Sequence, residues 1–182
     1  KPLPAREFQR RLATGEALVA TLVTPRDLYV WAVTGNGVQM ARRAITEAEL
    51  TEKVQRLRAG LVPGSGAGAT RLPPFDAAAA HEIHQLVFAP VAAALKGVTN
   101  VVWYGHGPLG SVPPAVLVSA PPAKPRLTTP AEFAAAKFLV DQYAFSALAD
   151  LSLFVWHRDQ QRRAGEQRFL GVGAPLLSAD EL

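Results

Sequence analysis

The chain has 182 residues, of which 49% are hydrophobic and 19% are charged. This length and composition allow one sizeable core, so we expect one domain with at most two lobes. The sequence contains 0 cysteines, which excludes a disulfide framework, a thiolate zinc site and a cysteine nucleophile within these residues. The formal charge is +4, but the arginines are scattered rather than clustered with aromatic residues. A solvated surface is therefore favoured over nucleic-acid binding or another acidic partner.

No stretch approaches the ~18 consecutive apolar residues of a membrane span. The first residues are too polar for a signal peptide. We therefore expect a soluble, cytoplasmic segment without membrane contacts. Because the chain starts at Lys1 rather than at methionine, we interpret it as a piece of a longer protein.

The first elements are predicted to be a short helix and an antiparallel meander. Residues 5–13 carry Phe8 and Leu12 at helical spacing, and Gly15 follows as a stop signal. Three predicted strands come next, rich in β-branched and aromatic residues and separated by turns: 17–24, 28–34 and 38–45.

Two helices are predicted on either side of a glycine-rich stretch. Thr46 and Glu49 match a capping box that begins helix 47–59. Residues 62–74 predict a flexible internal loop. Asp76 then caps a long helix, in which Pro90 predicts a kink and which Gly97 ends.

The second half of the chain alternates strands and helices. Residues 98–104 are almost continuously apolar, which is typical of a strand buried on both faces of a sheet. A turn and a short strand or edge segment are predicted near 115–118. The remaining predicted elements are helix 130–141 behind a capping box at Thr129, strand 143–147, helix 151–161 capped by Asp150, and strand 168–173. The fold class is therefore α/β, an N-terminal antiparallel β-meander joined to a mixed sheet flanked by helices.

Two motifs resemble ligand sites but have an ordinary structural interpretation. His81 and His84 are three residues apart, whereas a zinc-protease helix needs a spacing of four, so a surface or core-edge pair is favoured over a metal site. The glycines from 64 to 68 follow a helix instead of a strand, which favours a linker over a phosphate loop. Gly171 and Gly173 follow a strand but precede Pro175 instead of a capped helix.

His106 is the histidine best placed for chemistry, because it follows a buried strand where α/β proteins hold ligands. A catalytic histidine needs a nucleophile and an orienting acid, and the candidates are Ser111 with Asp141 or Asp150. No G-x-S-x-G elbow exposes a serine. An ordinary loop residue is favoured, and His106, Gly107 and Ser111 form the candidate ligand loop. The three tryptophans, at 31, 103 and 156, are interpreted as packing residues.

Read in order, these elements resemble the N-terminal half of a CHAT domain, a caspase-like module often found after tetratricopeptide repeats. The residues that carry the resemblance are Leu12 to Ile45, Phe75-Asp76 with Leu86 to Leu95, Gly107-Pro-Leu-Gly-Ser-Val-Pro113, Phe138-Leu-Val-Asp-Gln-Tyr-Ala-Phe-Ser146 and Leu170-Gly-Val-Gly-Ala-Pro175. Ala149-Asp150 stands where the family commonly has Pro-Ser, and His106 stands where the family usually has an acidic or polar residue.

The resemblance implies a caspase-like pseudo-protease half, spanning residues 1–182, of a cysteine endopeptidase. It implies that the catalytic histidine and cysteine follow the Leu-Gly-Val-Gly-Ala-Pro strand, so no residue of this chain receives a catalytic role. The implied partners are a C-terminal catalytic half of the same protein, upstream tetratricopeptide repeats and, through the parent, a protein substrate. No cofactor and no metal are implied. We also expect the isolated segment to self-associate through an open sheet edge.

Two other functions are kept as alternatives. One is a self-sufficient α/β domain that binds a small phosphate-bearing ligand near residues 104–111 or 171–175. The other is a basic module that binds an acidic partner.

Overall fold

A computed structural model describes residues 4–62 and 73–163, with side chains of the last helix described as far as residue 160. The α-helices are α1 (Ala5–Gln9), α2 (Glu47–Ala59), α3 (Ala77–Val87), α4 (Pro130–Ala135) and α5 (Leu151–Arg163). The strands are β1 (Glu16–Val23), β2 (Asp27–Thr34), β3 (Gly37–Ala44), β4 (Phe75–Asp76), β5 (Asn100–Tyr104), β6 (Arg126–Leu127) and β7 (Ala144–Ala147).

Five of these strands form one mixed sheet in the order β3-β2-β1-β5-β7. The first three are antiparallel to one another, while β5 runs parallel to both β1 and β7. Strands β4 and β6 form a separate two-stranded pair. The predicted fold class, a meander joined to a mixed sheet with helices on its faces, is confirmed.

Helices α2 and α3 cover one face of the sheet. The sequence places Leu50, Val54 and Leu57 on one side of α2, and all three side chains are buried in the main core. Helix α3 adds Ile83 and Val87 to the same core. The inner strands β1 and β5 alternate residues between this core and the opposite face, as the pleat of a strand requires.

Helices α1 and α5 cover part of the opposite face. Phe8 of α1 stacks on Phe154 of α5 with ring centroids 6.1 Å apart, above a smaller core. Arg11 donates two hydrogen bonds to the Asp159 carboxylate, at 2.8 and 2.9 Å. Arg158 pairs with Glu16 at the start of β1. These contacts join the first and the last described helices.

The predicted helix starts are confirmed by their capping contacts. The Thr46 and Thr129 side chains each accept a hydrogen bond from the backbone N–H three residues later, and the glutamates there complete both capping boxes. Asp76 accepts a hydrogen bond from Ala79 N at 2.8 Å. Asp150 accepts one from Ser152 N at 2.6 Å, which caps α5. Each cap satisfies backbone donors that a helix start leaves open.

Three predicted helices are shorter than expected. The first ends at Gln9 instead of residue 13. The predicted long helix after Asp76 ends at Val87 and is not merely kinked, with a separate 3₁₀ turn at Ala89–Val91. Pro90 has no N–H to donate, and its ring clashes with the carbonyl of a preceding helical turn, so the α-helix stops before it.

The predicted helix 130–141 is also divided. Helix α4 ends at Ala135, and a 3₁₀ turn occupies Leu139–Asp141. Between them, Phe138 forms an isolated antiparallel bridge with Val118, so the chain is extended there. The predicted short strand near 115–118 is reduced to that bridge, after a 3₁₀ turn at Pro114–Val116. A tertiary contact therefore outweighs the local preference for helix.

The tryptophans differ in burial. Trp103 lies in the main core as predicted, and Trp31 is half-buried on the face that α1 and α5 share. The prediction for Trp156 is wrong, since it is 55% exposed beside His157 on the outer side of α5. Most of the predicted loop 62–74 and all of strand 168–173 lie outside the described residues.

A column of stacked rings crosses the main core. His84 lies between His81 and Phe88, with centroid distances of 6.1 and 6.3 Å, and Phe88 stacks on Trp103 at 5.7 Å. The Nδ1 atom of His84 is buried without a hydrogen-bond partner among the described residues. Burial, with a smaller contribution from His81, lowers the pKa of His84 from 6.5 to about 4.

We predict that acid destabilises the protein through His84. His84 has a pKa of 6.5 in the unfolded chain and about 4 in the folded chain. The contribution of neutral His84 to stability is therefore fully present above pH 6.5 and is lost as the pH falls towards 4. Between about pH 7 and pH 5 the free energy of unfolding of the unsubstituted chain should fall by about 2 kcal/mol more than that of His84→Leu. Urea unfolding measures the difference. His157 is exposed, so His157→Leu is the matched control. An identical pH dependence of the unsubstituted chain and His84→Leu would contradict the prediction.

Candidate functional site

The candidate ligand loop lies at the edge of the sheet where β1 and β5 both end. These strands are parallel, and their register joins Ala20 to Tyr104 at the last pair. Residues 105–111 follow β5 directly and include a 3₁₀ turn at Gly107–Ser111. This is the edge of an α/β sheet at which ligands usually bind, so the sequence placed the loop correctly in the fold.

His106 holds this loop against β1. Its backbone N–H donates to Thr21 Oγ1 at 2.9 Å. Its Nδ1 accepts a hydrogen bond from the Val23 N–H at 3.2 Å. The Nδ1 lone pair is therefore in use, and the ring proton of the neutral imidazole is on Nε2. The His106 side chain thus accepts a hydrogen bond from the backbone of β1, at a position beyond the last residue of β1 that pairs with β5.

The loop is also closed by glycines. A Cβ atom on Gly105 would lie 2.4 Å from Leu109 O, because the chain turns back directly over this residue. Gly107 has φ +59°, a conformation that side chains other than glycine rarely adopt. The loop is therefore compact, and its shape depends on having no side chain at these two positions.

The residues proposed for a catalytic group are separated by their own contacts. Ser111 Oγ donates to Pro108 O at 2.9 Å. The Asp141 carboxylate accepts from Phe138 N at 3.2 Å, and Asp150 caps α5. In the part of the chain that the structure describes, no hydrogen bond joins His106 to Ser111 or to either aspartate. The structure brings His106, Gly107 and Ser111 into one loop. It does not place His106 as a base for a Ser111 nucleophile, because no described hydrogen bond joins the two side chains.

A cleft of about 390 Å³ lies beside the loop, between residues 110–115 and strand β7. Trp103 and Phe145 contribute aromatic side chains to its wall. No lysine, arginine or histidine is among its described lining residues. Phosphate groups need such cations or a helix N-terminus, so the cleft does not favour the phosphate ligand considered from the sequence. Ligand binding by His106, Gly107 and Ser111 stays a prediction, and the glycines at 64–68 and 171–173 lie outside the described residues.

The histidine pair on α3 belongs to the core edge. His84 is buried, while the half-buried His81 places Nδ1 2.9 Å from Val118 O and donates to it. Within residues 4–62 and 73–163, no three histidine, aspartate or glutamate side chains are grouped so that they could hold a metal ion.

Sequence reasoning missed a second concave surface. An apolar groove of about 340 Å³ lies between residues 118–124 and helix α4. Val118 falls at the end of the short strand predicted near 115–118, the rest of the first segment has no predicted helix or strand, and the second segment is predicted only as a helix. The signal that could have identified the groove is the concentration of alanine and proline on both sides, since small side chains leave space where two segments meet.

We predict that Gly105→Ala opens the loop. The added Cβ would overlap backbone atoms of Leu109 and Gly110, so the free energy of unfolding should fall by about 1–3 kcal/mol. Gly37→Ala is the matched control, because a Cβ there would have no described atom within 4 Å beyond its chain neighbours. It should change stability by no more than about 0.5 kcal/mol. Chemical denaturation compares the two variants. Equal effects would show that Gly105 is not closely packed.

Within residues 4–62 and 73–163, every helix falls short of the length and apolar character needed to cross a bilayer. No match was found among curated proteins or among solved structures. The family model for the CHAT domain matches residues 77–181, which is more than half of the chain. The match starts at α3 and includes the candidate loop and β7, but it does not include the meander. The chain therefore belongs to the CHAT domain family, a caspase-like, peptidase-related family.

Proposed function

We propose that this chain is the non-catalytic scaffold half of a caspase-like cysteine endopeptidase located in the cytoplasm. In this proposal it supports a catalytic half in the same parent protein and contacts upstream tetratricopeptide repeats. The parent acts on a protein substrate, whereas these residues supply a sheet and docking surfaces. No cofactor takes part.

The use of His106 carries this proposal. The position at the end of β5 is where an α/β sheet holds its reactive groups, yet the Nδ1 lone pair of this histidine binds the backbone of β1. The sequence contains 0 cysteines, and the nearby Ser111 hydroxyl donates to a carbonyl of its own loop. The polar groups of this loop therefore serve structural roles.

The outer edge of β7, beside which no other described strand lies, supports contact with another strand. Ala144 N and Leu148 N donate to Thr99 O and Trp103 O of the β5 side, both at 2.8 Å. Because backbone groups alternate in direction along a strand, those of Phe145 and Ala147 point away from β5. Among the described residues these outward groups have no strand beside them. An extended segment could bind there through backbone hydrogen bonds.

A part of the sheet that no described helix covers supports contact with helical repeats. On the face shared with α1 and α5, Leu22 and Met40 are 41% and 54% exposed. Tyr29 and Trp31 lie on the same face, because they pair with Leu22 and Met40 in the register, and their rings stack at 6.0 Å. Exposed apolar patches on a protein surface mark interaction sites, and aromatic residues are enriched at such sites.

The purified chain should have no peptidase activity. We expect no cleavage of an unfolded substrate protein, and we expect activity in the parent to depend on a cysteine outside these residues. His106→Ala should lower the melting temperature of the chain, because Val23 N–H loses its acceptor. A fluorogenic protein substrate measures the activity of the chain and of both variants. In the thermal melts, Ser111→Ala is the matched control for His106→Ala, because it leaves the acceptor of the Val23 N–H in place. Cleavage that disappears in either variant would contradict the proposal.

The isolated chain should self-associate through β7. We expect sedimentation velocity to show concentration-dependent association, which Ala147→Pro weakens because the outward N–H is removed while the bonds to β5 remain. Ala149 lies in the exposed turn after the strand, so Ala149→Pro is the matched control and should associate like the unsubstituted chain. A chain that is monomeric at all concentrations, or an equal effect of the two prolines, would remove the β7 edge from the proposal.

A further inference from the structure

The groove beside α4 has the shape and surface of a small-molecule site. We call it the alanine groove, and its apolar lining includes Val118, Pro121, Pro122, Leu127, Ala131 and Ala135. Its volume of about 340 Å³ falls within the usual range of ligand pockets, which are mostly apolar with few polar groups.

The groove is held open by its own covalent and packing constraints. Ala131 and Ala135 are one helical turn apart, so their small side chains share one side of α4. On the facing wall, the consecutive prolines have fixed φ angles and few conformations. Behind them, Leu127 is buried and Val118 is held by its bridge to Phe138. A preformed apolar surface binds a ligand with little cost of ordering.

The acidic group of the groove is fully occupied. Glu132 accepts a hydrogen bond from Lys124 Nζ at 2.6 Å and from Thr128 N and Thr129 N at 2.8 and 3.1 Å. These contacts, with Lys124 first, lower the pKa of Glu132 to about 2. Glu132 therefore stays ionised and is balanced by Lys124.

The second lysine of the groove is different. Lys137 is an exposed residue of the groove lining, and no salt bridge within residues 4–62 and 73–163 pairs it with an acidic group. Its backbone oxygen is fixed by Ser119, which donates from N at 2.8 Å and from Oγ at 3.1 Å. The alanine groove thus combines an apolar lining with a lysine that has no acidic partner among the described residues.

We propose that the alanine groove binds a linear aliphatic monocarboxylate, with the carboxylate at Lys137 and the alkyl chain between α4 and the prolines. The volume of about 340 Å³ lies at the low end of the range for ligand pockets, which favours a short alkyl chain such as that of decanoate. The apolar lining accounts for most of the affinity, because alkyl groups gain free energy on leaving water. Lys137 selects an anionic head group over a neutral or cationic one.

The test is an NMR titration of the intact chain with decanoate, kept below its micelle concentration, and with decanol and decylamine as matched probes. Decanoate should shift amide resonances of residues 118–137 saturably and more strongly than either analogue. Lys137→Gln should weaken decanoate binding by about threefold to tenfold and leave decanol binding unchanged. Ala135→Leu should abolish binding because the larger side chain fills the channel.

Ala134→Leu is the matched control, since Ala134 lies on the same short helix but outside the groove lining. This variant should bind decanoate like the unsubstituted chain. Both alanine variants keep a good helix former, so both should fold. Equal binding of decanoate and decanol, or binding that survives Ala135→Leu, would overturn the proposal. If Ala135→Leu instead removes self-association without any effect of decanoate, the groove is an interface between copies and the proposal is wrong.

Discussion

The parallel pairing of β1 with β5 is the contact on which the rest of the structure depends. These strands are far apart in the chain, and their register from Glu16 with Asn100 to Ala20 with Tyr104 joins the meander to the second half. Their side chains alternate between the two cores, so both helical layers pack against this pair. The pairing also brings the ends of β1 and β5 to one edge, where Thr21 and His106 meet.

Local signals predicted most of the elements, and long-range contacts explain the errors. The meander, α2 and the four helix caps follow from patterns within a few residues, and the structure has them at or near the predicted positions. The divided helix after residue 130 could not be predicted, because the bridge between Val118 and Phe138 is a tertiary contact. Pro90 was recognised as a disturbance, but its local signal does not distinguish a kink from an end.

The candidate site shows the same division. Its position in the fold could be predicted, because a histidine after a buried strand lies at the end of that strand. Its chemistry could not, because the contact that occupies His106 Nδ1 comes from Val23, which is distant in the sequence. The alanine groove is formed by two segments, and neither has a recognisable motif. The CHAT family match adds the relationship to peptidases but leaves these individual roles to the geometry.

The double hydrogen bond between Arg11, which lies just after α1, and Asp159 of α5 connects opposite ends of the described chain. The Arg158 pair to Glu16 adds a contact between α5 and β1, and the Phe8 stack on Phe154 makes α1 and α5 neighbours on one face of the sheet. Tension applied to the chain before α1 and after α5 would therefore act on these ion pairs, one of which holds the first residue of β1. A displacement of α5 would act on α1 through these contacts, which therefore link the two ends of the described chain mechanically.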